Sequence, residues 1–141
     1  MKSLLLAVAL ISAPVFAETS VIAGGWSYHI GERTYWDNGI ETPFNETNET
    51  IGIGIDSVYL VYSKLSYNND GLALYKHFKY GDYFGLRAGV VYGYGNTPEN
   101  LIIAPLFAPT VTVNIYDGLN LDVGVIVSSV PVLTANFEYR F

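Results

Sequence analysis

The stretch Val132-Leu-Thr-Ala-Asn-Phe-Glu-Tyr-Arg-Phe141 decides the fold. In it Leu133, Ala135, Phe137, Tyr139 and Phe141 alternate with Thr134, Asn136, Glu138 and Arg140. A period of two sets the first group on one face of a β-strand and the second on the other. An apolar face opposite a charged face, over about ten residues, suits a strand with lipid outside and a polar lumen inside. A soluble sandwich strand can alternate in the same way, but it is rarely this long and rarely ends on an aromatic.

The opposite end reads as an export signal. Residues 1–17 carry Lys2, then an apolar run from Leu4 to Ala13, then small residues before Glu18. The run is too short for a transmembrane helix, which takes about 20 residues. Val15 and Ala17 fit the positions before a cleavage site, so a cut after Ala17 is expected. The chain has no cysteine, which excludes a lipoprotein anchor and a disulfide framework. Residues 18–141 then form one domain.

Six basic residues against thirteen acids leave that domain a net charge of −7, since the signal holds one Lys and no acid. Such acidity argues against nucleic acid and against a polybasic membrane patch. Twelve Tyr, seven Phe and fourteen Gly favour a β architecture. No stretch after the signal is apolar for 18 residues. An exported chain of positive mean hydropathy without a spanning helix points to a barrel in the bacterial outer membrane, all-β, antiparallel and transmembrane.

Eight strand-like segments follow: residues 20–30, 50–55, 58–66, 72–80, 83–94, 106–115, 119–127 and 132–141. Asp56-Ser57, Gly81-Asp82 and Asp117-Gly118 form tight turns between them. Residues 31–49, 67–71, 96–105 and 128–131 form generally longer connections. An even strand number with alternating short and long connections describes an outer-membrane barrel, the short turns lying in the periplasm. Eight strands leave a lumen filled by side chains or holding one small ligand, which excludes a general porin. Period two puts Ile22, Trp26, Tyr28 and Ile30 outside, opposite Ser27 and His29. It puts Gly52, Gly54, Gly85, Gly89, Gly93 and Gly124 inside, where they would leave room for a chain or serve close packing. Arg87, Asp122, Glu138 and Arg140 also fall inside and would make the periplasmic half polar. Lys76 shares the outward face of Leu72, Leu74 and Phe78. It is expected near an interface, or beside a bulge that shifts the register. Pro105 and Pro109 remove ladder donors from the sixth segment, and Pro131 starts the last one. They mark either a frayed strand top or a lateral opening to lipid.

His29 ends the first segment at its outer end, and Ser66 ends the third. If Lys64 avoids lipid, parity turns Ser66 to the lumen. An imidazole and a hydroxyl facing each other are the minimal pair for serine acyl transfer. His77 lies toward the periplasmic end, far from that rim.

Trp26-Ser-Tyr-His29, Phe44-Asn45-Glu46, Gly52-Ile-Gly54, Lys64-Leu-Ser66-Tyr67, Pro105, Pro109 and Val130-Pro131 carry a resemblance. In this order they resemble the lipid A palmitoyltransferase family of eight-stranded outer-membrane barrels. The resemblance implies transfer of an acyl chain from a phospholipid to lipid A, and His29 and Ser66 as base and nucleophile. It also implies an acyl chain held in the lumen, and lateral openings at Pro105, Pro109 and Pro131. Leu65 stands where the family has Asp. Asn45, Glu46 and Asp70 are the polar candidates to support His29 in its place. Phospholipid and lipopolysaccharide are the implied membrane partners, along with the barrel-assembly machinery; no cofactor or metal is implied. The other reading is a non-catalytic barrel with a surface-binding or envelope-stabilising role. It would act through the acidic 31–49 connection, which carries Glu32, Asp37, Glu41, Glu46 and Glu49.

Overall fold

The structure, a computed structural model, describes residues 18–94 and 102–141. The expected export signal (1–17), and residues 95–101 of the third long connection, lie outside the described residues. Ten strands follow one another: β1 (Thr19–His29), β2 (Thr34–Asp37), β3 (Ile40–Pro43), β4 (Thr50–Ile55) and β5 (Val58–Lys64), then β6 (Asp70–Tyr80), β7 (Phe84–Tyr94), β8 (Ile102–Tyr116), β9 (Leu119–Ile126) and β10 (Val132–Arg140). Eight of them close an antiparallel barrel in the order β1-β10-β9-β8-β7-β6-β5-β4. β2 and β3 form a separate hairpin inside the first long connection.

Alternation places the side chains as period two requires. Leu60, Leu72, Leu74, Val90, Phe107, Val113 and Leu133 are exposed on the outer wall. Tyr80, Tyr83, Phe84, Tyr116, Tyr139 and Phe141 gather at the short-turn end. Ile22, Tyr59, Val61, Tyr75 and Leu106 pack inside. An outer wall this apolar exceeds what a soluble monomer exposes and fits a hydrocarbon solvent. Lys76 stays on the outer face with no register break, opposite Val58 beside the short Asp56-Ser57 turn. Of the two expectations for it, the interfacial position is the one observed.

Ile22 departs from its expected face. The pairing of β1 with β10 shifts by one residue between Ala23 and Trp26, and Gly24 there has φ +74°. This bulge inserts an extra residue and reverses the alternation. Ser20 and Ile22 point inward below it, and Ser27 and His29 point inward above it.

The inward glycines serve packing. A Cβ on Gly54 would run into the Tyr59 ring and Ser20, and one on Gly85 would run into His77 and Thr110. Their missing side chains are filled by neighbours, so they hold no room for a chain.

The lumen divides in two. Toward the short turns, Arg87 pairs with Asp122 and donates to Asn136 Oδ1 at 3.2 Å. Thr112 Oγ1 donates to Asp122 at 3.1 Å, and Arg140 donates to Glu138 at 2.8 Å. Tyr59 donates to the other Glu138 oxygen, and His77 Nε2 lies 2.9 Å from Thr110 Oγ1. This polar plug fulfils the expectation for Arg87, Asp122, Glu138 and Arg140. Above it lies a cavity of about 330 Å³, mostly apolar, with Tyr75, Arg87 and Asn136 at its polar base and Ile22, Val61, Val91, Leu106, Ile126 and Val132 among its walls.

The β8–β9 seam is short of donors at its long-loop end. The β8–β9 ladder begins at Thr110, opposite Gly124. Beyond it, toward the long loops, Val127 N still donates to Phe107 O at 2.9 Å. Phe107 therefore turns its backbone groups toward β9, and so do the residues two away on either side. Those residues are Pro105 and Pro109, which have no N–H to offer. Both prolines pair across β7, with Val90 and Leu86, where no donor is required of them. Ala104, Pro105, Ile126, Val127 and Ser128 line the cavity from both sides of this seam. Pro109 and Pro131 do not line it. Pro131 instead accepts from Ile30 N at 2.9 Å and continues the β1–β10 contact.

Candidate functional site

The site forms where β1 and β5 end and the first long connection folds back over them. Ser27 N donates to Glu46 O at 2.9 Å, and Asn48 N donates to Gly25 O at 2.9 Å. On the other side Lys64 N donates to Glu49 O at 3.1 Å and Asn45 N to Ser66 O at 2.8 Å. Residues 45–49 thus bridge β1 and the end of β5 above the short strand β4, so the backbone around the site is held from both sides.

His29 and Ser66 meet here. His29 is 2 % exposed, and its Nε2 lies 2.8 Å from Ser66 Oγ. Ser66 arrives by a different route from the expected one. Lys64 lies on the outward parity of β5 with Val58, Leu60 and Tyr62, while Ser63 turns inward and bonds Thr50 at 2.8 Å. Lys64 keeps its charge out of lipid by bonding Asp70 at 2.6 Å near the strand end, as long cationic side chains do. β5 then stops. Leu65 N donates to Asn69 O and Asn68 N to Leu65 O, with Asn68 at φ +61°. This turn swings Ser66 inward against the strand's parity.

A stack of aromatic rings covers the imidazole. Phe44 lies parallel to it at 4.0 Å between centroids, and Tyr35 and Tyr67 pack on Phe44. Tyr35 also meets Tyr67 edge-on at 4.7 Å. Burial, more than the nearby Asp37 and Tyr67, pushes the Tyr35 phenol above its usual range. Phe44 follows β3 directly and Tyr67 lies in the turn after β5, so of these rings only Tyr35 sits in the β2–β3 hairpin, which sequence reasoning left as loop. Its signal was present: Asn38-Gly39 between Tyr35-Trp36 and Ile40 is a type I′ turn, and both turn residues have positive φ.

The three candidate supports separate in space. Asp70 is engaged by Lys64 and by Tyr62 OH at 2.7 Å, on the exposed side. Asn45 Oδ1 accepts from Thr47 N at 3.2 Å, and its amide reaches Leu65 O at 3.5 Å. Neither touches His29. Glu46 bonds Arg33 Nη2 at 2.8 Å through Oε2. That bond raises the Arg33 guanidinium further above neutral pH and keeps it charged. His29 Nδ1 is buried and has no partner, and neither has Glu46 Oε1. Leu65 packs over Gly71 and offers the ring nothing polar.

Ser66, Leu65, Ser63 and Trp26 lie on the cavity wall. The hydroxyl therefore stands at the rim of an apolar chamber with an imidazole behind it. Among the described residues, no group of His, Asp and Glu is placed to hold a metal. His77 sits in the polar plug on Thr110, outside this site.

No family model matches the chain, and no curated protein is similar to it. Among solved structures, the de novo designed barrel TMB2.3 superposes with a TM-score of 0.60 at 15 % identity, covering 89 % of this chain and 95 % of that one. A structure described as de novo design of transmembrane β-barrels gives 0.57 at 13 % identity, with the same coverage. The chain has the closed eight-stranded architecture of these transmembrane barrels.

Proposed function

We propose that the protein is an outer-membrane barrel that transfers a fatty acyl chain from a phospholipid to lipid A, with Ser66 as nucleophile and His29 as base. The observation that supports this is the 2.8 Å His29–Ser66 bond at the rim of an apolar cavity inside a barrel with an apolar outer wall. Ser66 Oγ attacks the ester carbonyl of the donor while His29 Nε2 takes its proton. The carbon–oxygen bond to the lysophospholipid breaks, and that oxygen leaves with the proton from His29. An acceptor hydroxyl of lipid A then attacks the Ser66 ester by the same route in reverse. The cavity holds the acyl chain, and the polar plug beneath it sets the depth. The donor-poor seam beside Pro105, where β8 lines the cavity, is the lipid-side access.

The unpartnered His29 Nδ1 favours a second reading, a non-catalytic barrel that acts through its acidic outer connection. A hydrophobic p-nitrophenyl ester presented in micelles that also hold phosphatidylglycerol and lipid A separates the two. The acyl-transfer reading expects ester cleavage by the wild type and none by Ser66→Ala or His29→Ala. Equal, background-level release by all three points to the non-catalytic barrel.

A further inference from the structure

Two buried polar atoms in this molecule lack partners within one small region: His29 Nδ1 and Glu46 Oε1. The backbone explains why they belong together. A bridge pairs Trp26 with Thr47, and Ser27 N donates to Glu46 O. Glu46 is therefore opposite Ser27, and its diagonal neighbour on β1 is His29. Diagonal partners stand about 7–8 Å apart at Cα, within reach of a long side chain. Glu46 is kept from the ring by its other oxygen, which Arg33 holds at 2.8 Å. The Arg33 side chain is itself 62 % exposed and is the one cation in the 31–49 connection.

Resting on the acyl-transfer reading, we propose that Arg33 binds the phosphate of an incoming lipid and that this releases Glu46 to His29 Nδ1. Glu46 is then a positioning residue, delivered only when lipid is present. An arginine fork suits phosphate as well as it suits a carboxylate, so the exchange replaces one charge-assisted pair with another. The carboxylate accepts a hydrogen bond from Nδ1–H, which holds the proton there and leaves Nε2 free to take the Ser66 proton. In the described state the pair lacks that orientation, which makes the resting barrel silent toward water.

The test is the His29 tautomer, read from 15N shifts of the imidazole in the folded mature chain in zwitterionic micelles, with His77 as internal reference. Arg33→Ala frees Glu46 and should move His29 predominantly to the Nδ1–H form. Arg33→Ala with Glu46→Ala should lose that shift, which removes the direct effect of the lost cation. Adding phosphatidylglycerol to wild type tests a phosphodiester source, and adding lipid A tests a phosphomonoester source. At least one should reproduce the Arg33→Ala spectrum. A His29 tautomer unmoved by Arg33→Ala, moved equally in the double variant, or indifferent to both lipids overturns the proposal. A tautomer that moves as expected in a barrel that cleaves no ester keeps the Glu46 exchange and removes catalysis instead.

Discussion

Removing the Asp122 carboxylate leaves the Arg87 guanidinium buried on Asn136 and on the Tyr75 ring, 5.6 Å away. An uncompensated buried charge costs about 3–5 kcal/mol, whereas replacing both partners with apolar residues costs far less. Asp122→Ala should lower the urea midpoint of the micelle-folded barrel sharply. Arg87→Met with Asp122→Leu should recover most of the loss. Equal midpoints for the single and double variants would mean the pair is solvated. At the site, His29→Ala and Ser66→Ala should each abolish ester cleavage while leaving the midpoint within about 1 kcal/mol of wild type, and the double variant should be no worse than either. The pairing of His29 with Ser66 was legible from their places at strand ends. The reason for it was not, because the Leu65–Asn69 turn lies below the resolution of a parity argument. Which support stays near His29 was also hidden. Glu46 is placed by the fold-back of residues 45–49, a contact between segments that no periodicity encodes.

β8 is the element where the sequence and the proposed function meet most closely. Its prolines lack the donors that would face β9, and the ladder there begins only at Thr110. Pro105→Ala and Pro109→Ala restore those donors, and each bond gained is worth about 0.5–1.5 kcal/mol. Amide exchange at Val127 should slow, and cleavage of a long-chain ester should slow with it while a short-chain ester is unaffected. Faster or unchanged exchange would place lipid access elsewhere. The seam was legible because a missing N–H is a property of the residue itself. β1 was half legible: both its ends fall one residue earlier than expected, at Thr19 and His29, and the Gly24 bulge turned Ile22 to the opposite face. β2 and β3 were announced by Asn38-Gly39, a signal masked by the charge of the surrounding connection. On β10, Phe141 meets Tyr139 at 5.1 Å at the short-turn rim, and its N–H reaches Thr19 O at 3.0 Å. Its deletion should reduce the yield of inserted barrel and leave ester cleavage per folded molecule unchanged. Undiminished insertion would remove this residue from the interfacial girdle.

For the whole molecule, the eight-strand count and the alternation of short and long connections were legible because every barrel strand must be amphipathic. The division of the lumen was also legible, since Arg87, Asp122, Glu138 and Arg140 all share one parity. The place of the cavity above that plug followed from the same division, but its walls did not, since they come from several strands; of the two readings of the inward glycines, close packing is the one observed, with Tyr59 against Gly54 and His77 against Gly85. Folded into detergent, residues 18–141 should migrate faster unheated than boiled and give a β-type circular dichroism spectrum. A helical, soluble product would remove the membrane reading. Mass spectrometry of lipid A from bacteria expressing the full chain, beside the same bacteria expressing Ser66→Ala, tests the central claim most directly. Wild type should add one fatty acyl mass to lipid A and Ser66→Ala should add none, with both proteins equally abundant in the outer membrane. Identical lipid A in the two strains would contradict acyl transfer by this barrel.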